Sequence, residues 1–457
     1  MNLFSRRVHL IGVGGSGVSG LARLLHGVGG DVTGSDRAPS RTLQALEQAG
    51  IPVWVGSRPE RVHGTNGYVV ASAAVPRTDP ELLECESRGF KPLIYAEAVA
   101  RLGEGKQTFA IAGCHGKTTT TAMTVAAMRG AGLDPSFLIG GEIPELGGNG
   151  HGGATDLFVI EACEFNRSFH NYRPYAAAIL NFDHDHFDCF PTTKDLEEAF
   201  AGYLAKVHPG GTVFLHEDVP EAVTRGVREG VRVLRLGTGL FADLRAIEIT
   251  ESTGRFSFVP VVHGERLPQV HLSVSGRHNV SNALFAIGMS ILAGADPVGA
   301  CRGLALFGGV RRRFETHEGS RGGVLVNDYA HHPAEIRAVL RTARTRFPGR
   351  RVLAAFQPHQ YQRTLTLLPD FAESLSPADH CLVADIYGAR ESAEITSRVC
   401  AADLVTAIRS HGTHAESGGR VQELPALLRG MYHPGDVVLL LGAGDIDQVL
   451  EEVVAFL

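Results

Sequence analysis

The segment Gly113-Cys-His-Gly-Lys-Thr-Thr-Thr-Thr121 gathers the residue types that hold phosphate groups. Glycines leave backbone N–H groups open to phosphate oxygens, and the start of a helix adds the attraction of its aligned peptide dipoles. Lys117 at this spacing reaches terminal phosphates, and the Thr118 hydroxyl is placed for Mg²⁺. Such a loop needs a strand before it and a helix after it. Residues 107–112 read as that strand and residues 122–129 as a helix. One detail departs from the general loop pattern: the first of its six residues would be glycine, and position 111 is Ile.

A second glycine-rich turn, Gly12-Val-Gly-Gly-Ser-Gly-Val-Ser-Gly20, follows a strand-like stretch at residues 7–12 and leads into a helix through residues 21–25. A further strand at 31–34 ends in Ser35-Asp36. This is a Rossmann-like strand–helix–strand unit, whose glycines let the backbone approach a diphosphate. Strands and helices alternate to about residue 103, with the segments 67–72 and 73–76 included among them. Nicotinamide binding and hydride transfer is one reading, yet any nucleotide carrying a diphosphate suits the turn. An oxidoreductase has no use for the loop at 113–118, and a simple kinase has none for the turn at 12–20. Together they point to triphosphate-driven chemistry on a nucleotide-carried substrate.

Carboxylates for a metal lie downstream. The apolar run Asp156-Leu-Phe-Val-Ile-Glu161 reads as a strand ending in an acid, where a phosphate-loop enzyme commonly places a Mg²⁺-side ligand. Another strand, at 176–180, runs into Asn181-Phe-Asp-His-Asp-His186-Phe-Asp188. With oxygen ligands dominant and no cysteine among them, Mg²⁺ or Mn²⁺ is preferred to zinc. Glu161 and His186 are the two residues singled out.

The elements needed to position these groups fit a chain of 457 residues, enough for three domains with real cores. The 43 basic and 49 acidic residues leave a net charge of −6, against a nucleic-acid-coating or membrane-hugging protein. Seven scattered cysteines without a paired spacing read as reduced thiols. No stretch reaches the ~18 apolar residues of a membrane span, so a cytoplasmic protein is expected; the expected assembly, a monomer or weak homodimer, has no signature in the sequence.

The chain resembles the Mur ligases of bacterial cell-wall synthesis. Beyond both glycine-rich turns, Glu161, Asn181 and Asp185-His186, the resemblance rests on Gly276-Arg-His-Asn-Val-Ser-Asn282, Arg311-Arg-Arg-Phe-Glu315, Asp328-Tyr-Ala-His-His-Pro333, Phe356-Gln-Pro-His359 with Arg363-Thr364, Asp385-Ile-Tyr387 and Gly442-Ala-Gly-Asp445. These run nearly the length of the chain in the family's order, and the loop lacking a glycine at 111 is the family's form. The resemblance implies an α/β protein of three domains: a Rossmann-like UDP-sugar domain at 1–103, a central phosphate-loop ATPase domain with a parallel-sheet core at 104–309, and a Rossmann-like amino-acid-binding domain at 310–457. It implies ATP-driven joining of L-alanine to the lactyl carboxylate of UDP-N-acetylmuramate, with Mg²⁺, or Mn²⁺, as cofactor.

The same resemblance distributes roles. Gly113, Cys114, His115, Gly116, Lys117, Thr118 and Thr119 would hold ATP, with Asn181, His278, Asn279, Asn282, Arg313 and Asp328. Thr118, Glu161 and His186 would serve the metal. Gly14, Gly15, Ser16, Gly17, Asp36 and Ser72 would hold the UDP-sugar, and Tyr329, His331, His332 and Arg363 would approach the acceptor amino acid. Lys117, His186, Arg313 and Arg363 would be the catalytic set. Two departures stand out: Cys163 replaces the Asp usual in the run that starts at Glu161, and Gly388 stands where Pro is common. The nearest rival activity is that of the recycling ligase, which attaches a tripeptide to the same sugar nucleotide. Glycine-rich stretches near 103–105 and 308–309 would serve as hinges.

Overall fold

The computed structural model describes residues 7–62, 67–183, 189–190, 192–388, 391 and 393–457. Three sheets carry the chain. The first has five parallel strands, β1 (Arg7–Ile11), β2 (Val32–Asp36), β3 (Val53–Val55), β4 (Gly67–Ala71) and β5 (Leu93–Ile94), in the order β3-β2-β1-β4-β5. The inner strand β1 buries Val8, Leu10 and Ile11, as expected of a strand covered on both faces. Around it lie α1 (Ser16–Gly27), α2 (Arg41–Gln48), α3 (Pro80–Ser87) and α4 (Tyr95–Leu102).

Residues 73–76, counted within that alternation, form a turn rather than a strand or helix. The Ser72 hydroxyl accepts from Ala74 N–H and the Ser72 carbonyl from Val75 N–H, which folds the chain back before Pro76, a residue with no N–H to give a sheet.

The second sheet is built on β6 (Gln107–Ala112), β7 (Ser136–Ile143), β8 (Gly148–His151), β9 (Leu157–Glu161), β10 (Ala176–Ile179), β11 (Thr212–His216) and β12 (Arg232–Gly237). Their order is β12-β11-β10-β6-β9-β7-β8, parallel except for the edge strand β8, and the sheet continues beyond β12 through four further strands. The central β6 buries Phe109, Ala110, Ile111 and Ala112 and delivers the chain to α5 (Lys117–Gly130). Ile111, which stands where a glycine was awaited, is therefore the penultimate core residue of the strand.

The third sheet runs Glu315–Glu318, Val324–Asp328, Val437–Leu441, Val352–Phe356, His380–Ala384 and His414–Gly419 in spatial order, with only the first strand antiparallel. All five residues of Val437–Leu441 are buried, their side chains alternating between two apolar layers. The chain divides into two compact units. One spans Met1–Ile249, Phe258–His271 and Val280–Gly308; the other spans Thr250–Ser257, Leu272–Asn279 and Gly309–Leu457. Both glycine-rich turns belong to the first.

Candidate nucleotide sites

Two helices of the first unit start in the same unusual way. α5 has Gly116 as its N-cap with φ +80°, and α1 has Gly15; neither N-cap residue supplies a side chain to the open N–H groups of the first turn. Ser, Thr, Asn or Asp ordinarily fill that role. Elsewhere in the chain Ser40, Asp79 and Thr192 do cap their helices. Uncapped N-terminal N–H groups with a positive dipole end are suited to anionic oxygen.

At α5 the loop is held from outside. The Asn181 side-chain amide donates to His115 O and accepts from His115 N–H, both at 2.9 Å, so it fastens the loop backbone. Cys114 Sγ donates to Asp183 O at 2.7 Å and accepts from Asp183 N–H. Gly113 has φ +140°, and a side chain there would crowd Leu180 and Asn181. A Cβ at Gly116 would stand 3.0 Å from Asn282 Oδ1, which places the Asn282 amide at the mouth of the same loop. Thr119 lies in the first turn behind it.

Lys117 folds over this loop, donating to Gly113 O at 2.6 Å, Cys114 O at 3.2 Å and both oxygens of Glu164 at 3.0 and 2.9 Å. Burial alone would lower its pKa, but the Glu164 carboxylate outweighs it and holds the ammonium charged well above the ordinary lysine range. Nothing in the sequence reading singled out Glu164; it stands three residues beyond Glu161 and becomes visible only once the end of β9 is placed beside the loop. The Thr118 hydroxyl donates to Glu161 Oε2 at 3.1 Å, and Glu161 Oε1 also accepts from Gly140 N–H. Hydroxyl and carboxylate together form a hard-oxygen pair fit for Mg²⁺. His186 and Asp185 lie outside the described residues, and among the described residues no group of three His, Cys, Asp or Glu forms a metal cluster. Burial and the nearby Glu164 push the Cys163 thiol up to about 12, so position 163 carries no thiolate at neutral pH.

At α1, Gly14 N–H donates to Asp36 Oδ2 at 2.8 Å, and Gly12 and Val13 donate to Ser35 O. Asp36 thus shapes the turn, while Ser16 and Gly17 open the helix. Gly12 has φ +77°, and a side chain there would press on Ser72 and Val75. The helix is latched from β8: buried Asn149 donates from Nδ2 to Ser16 O at 2.6 Å and Ser19 Oγ at 2.9 Å. A Cβ at Gly20 would meet Asn149 O at 2.8 Å, so the glycine is what lets helix and strand backbones touch. Asn149 was not foreseen either, since a lone Asn between glycines carries no local signature.

The second unit gathers other residues. Asp328 is buried and accepts from Phe314 N–H at 2.6 Å and Ala330 N–H at 2.8 Å. Burial raises its pKa to about 6 against the opposing pull of Arg313 and these two N–H groups. The guanidinium groups of Arg312 and Arg313 lie 4.9 and 5.1 Å from the centre of the Tyr329 ring. Arg312 spends its charge on Gly442 O, Gly444 O and Asp447. Tyr329, His331, His359 and Tyr387 follow one another ring to ring, with centroids 5.4, 6.0 and 5.5 Å apart. His332 Nδ1 accepts from Ala334 N–H as N-cap of the helix Pro333–Arg346, while Glu335 binds the N–H groups of His331 and His332. Arg363 is buried on the short helix Tyr361–Thr366, whose first N–H groups go to Glu391. Arg312, Phe314 and Gln360 take left-handed backbone angles, of the kind found where a loop is held for function. Asn279 donates to Ser275 O near the start of the helix His278–Leu292.

Comparison with known proteins agrees with this geometry. Residues 7–107 match the model of the Mur ligase family, catalytic domain, residues 111–290 that of the Mur ligase middle domain, and residues 312–444 that of the Mur ligase, glutamate ligase domain. The UDP-N-acetylmuramate–L-alanine ligase of Kineococcus radiotolerans is 40% identical over 99% of this chain and 96% of its own. That of Mycolicibacterium gilvum is 38% identical over 98% and 96%. Among solved structures, the UDP-N-acetylmuramate-alanine ligase of Thermotoga maritima superposes with a TM-score of 0.82 at 25% identity, covering 98% of both chains. A murein peptide ligase of Psychrobacter arcticus shares the fold with a TM-score of 0.75 at 24% identity over 98% of both. With three consecutive domain models matched in order and full-length relatives near 40% identity, the chain belongs to the Mur ligase family.

Proposed function

We propose that this protein is an ATP-dependent ligase that joins L-alanine to the lactyl carboxylate of UDP-N-acetylmuramate in peptidoglycan precursor synthesis. The observation that carries the reading is the pair of glycine-capped helix N-termini, α1 and α5, within one compact unit, one of them armed with Lys117. The named relatives supply the substrate: full-length ligases that act on UDP-N-acetylmuramate and alanine.

A carboxylate is a poor acylating agent. An oxygen of the lactyl carboxylate attacks the γ-phosphorus of ATP, the bond to the bridging oxygen breaks, and ADP leaves behind an acyl phosphate. The neutral amine of alanine adds to the acyl carbon, and phosphate departs as the amide forms. Lys117 and the N–H groups of α5 offset the charge that spreads over the transferred group. Mg²⁺, held by Thr118 and Glu161, would supply further positive charge at the ATP phosphates. His186 completes this proposed metal and catalytic set. The turn at 12–20, with Gly14, Gly15, Ser16, Gly17, Asp36 and Ser72, holds the UDP-sugar. Tyr329, His331 and Arg363, with His332 behind them, receive the amino acid, and Arg313 supports the charged transition state. The three domains run 1–103, 104–309 and 310–457. No helix among the described residues is long and apolar enough to cross a membrane, and the seven cysteines are free, in keeping with a cytoplasmic enzyme.

The test is a panel of single amino acids mixed with the protein, ATP, Mg²⁺ and UDP-N-acetylmuramate. Phosphate release should require both the sugar nucleotide and alanine; release without either, or with free tripeptide in place of alanine, overturns the reading.

A further inference from the structure

Tyr95 opens α4, and its ring occupies the space that Gly17 leaves free. A methyl group at Gly17 would stand 3.0 Å from the phenol carbon Cζ and 3.2 and 3.3 Å from Cε1 and Cε2. The hydroxyl end of the side chain, rather than its stem, is therefore the part that meets the first turn of α1. That turn is the one whose N–H groups have no side-chain cap. Among the described residues the Tyr95 hydroxyl has no hydrogen-bond partner. α4 itself packs against α1 on one side and against Phe165–Asn171, the segment following Glu161 and Glu164, on another. The phenol thus stands where the glycine-rich turn of the first sheet meets the acidic end of β9. Burial, with Glu161 and Cys163 close by, holds its pKa well above the ordinary tyrosine range, so it remains a neutral donor.

We propose that Tyr95 binds the sugar nucleotide directly, its hydroxyl donating to the sugar-side phosphate of the UDP moiety. The inference rests on the reading that the turn at 12–20 takes the UDP diphosphate. An open donor beside an uncapped helix N-terminus complements an anionic oxygen, and a hydrogen bond to a charged group is the stronger kind. The phosphate is the outer one because α4 also packs against the segment that follows Glu161 and Glu164, and the sugar must extend towards the ATP side for its carboxylate to be phosphorylated. Gly17 acquires a second purpose: any side chain there would drive the phenol away from the helix.

Binding of UDP, UMP and ADP to the wild-type protein and to Tyr95→Phe, measured by calorimetry, decides the matter. Removing the hydroxyl should weaken UDP about tenfold, leave UMP unchanged because it lacks the outer phosphate, and leave ADP unchanged as the control for an intact fold. Gly17→Ala should show the same selective loss. Unchanged UDP affinity in Tyr95→Phe overturns the assignment, as does an equal weakening of UDP and UMP. If the wild-type protein binds neither UDP nor UDP-N-acetylmuramate, the reading of the turn itself fails and the Tyr95 assignment falls with it.

Discussion

The ammonium of Lys117 is shared between both carboxylate oxygens of Glu164, at 2.9 and 3.0 Å, with Glu164 almost fully buried. The charge that we propose meets a phosphate is therefore already neutralised in the protein alone, and the carboxylate keeps it protonated and held at the loop. Lys117→Ala removes the cation from the transferred phosphoryl group and should lower kcat by about 10²–10³-fold. The same change takes this cation away from a buried carboxylate, so the melting temperature should fall as well. Turnover and thermal melts of the variant measure both effects.

Glu161 engages the Thr118 hydroxyl at 3.1 Å, and Glu161→Ala removes the acidic half of the proposed Mg²⁺ pair. The Mg²⁺ concentration for half-maximal activity should rise by about 10–100-fold, the usual cost of a lost metal-site contact. A titration of activity against Mg²⁺ at saturating ATP would show no shift if the ion is held elsewhere.

Asn149 ties β8 to the first turn of α1 through two hydrogen bonds from one amide nitrogen. Asn149→Ala should cost about 1–3 kcal/mol in stability because the Ser16 carbonyl and the buried Ser19 hydroxyl lose their donor. The KM for UDP-N-acetylmuramate should rise while that for ATP holds, since α5 lies outside the latch. Equal changes in both KM values would argue against the assignment of α1 to the sugar nucleotide.

Asp328 has a folded-state pKa of about 6, above that of an unfolded aspartate. Between about pH 4 and 6 the folded protein binds the extra proton, so this residue's contribution to stability is lost as pH rises through that window. The loss is on the order of 2–3 kcal/mol. Asp328→Asn should remove this slope, and unfolding free energies of the two proteins, compared from pH 4 to 7, should converge or separate accordingly. Parallel pH profiles would refute the buried, charge-penalised carboxylate.

Much of this molecule was legible in local sequence, for physical reasons. A strand, a glycine turn and a helix are short-range events, so both glycine-rich turns and the alternation of an α/β chain could be read from spacing alone. Lys117, Thr118 and Glu161 were legible because phosphate-loop chemistry fixes a lysine and a hydroxyl at set intervals and an acid at a strand end. The isoleucine at 111 finds its physical reason in the buried strand, of which it is the penultimate residue.

What tertiary structure decided is which side chains converge from distant positions. Glu164 reaches Lys117 across 47 residues, Asn149 reaches Ser16 across 133, and Tyr95 fills the face of Gly17. The order of strands in the sheets brings these together, and nothing in their local sequence marks them. Asn181 shows the same limit from the other side: the sequence placed it near ATP, while the fold assigns its amide to the loop backbone at His115. Sequence alone determined the chemistry available to this protein, because residue type and spacing set what a turn can bind. Packing determined which partners hold that chemistry in place, because burial and hydrogen-bond satisfaction are settled only when remote segments share one core.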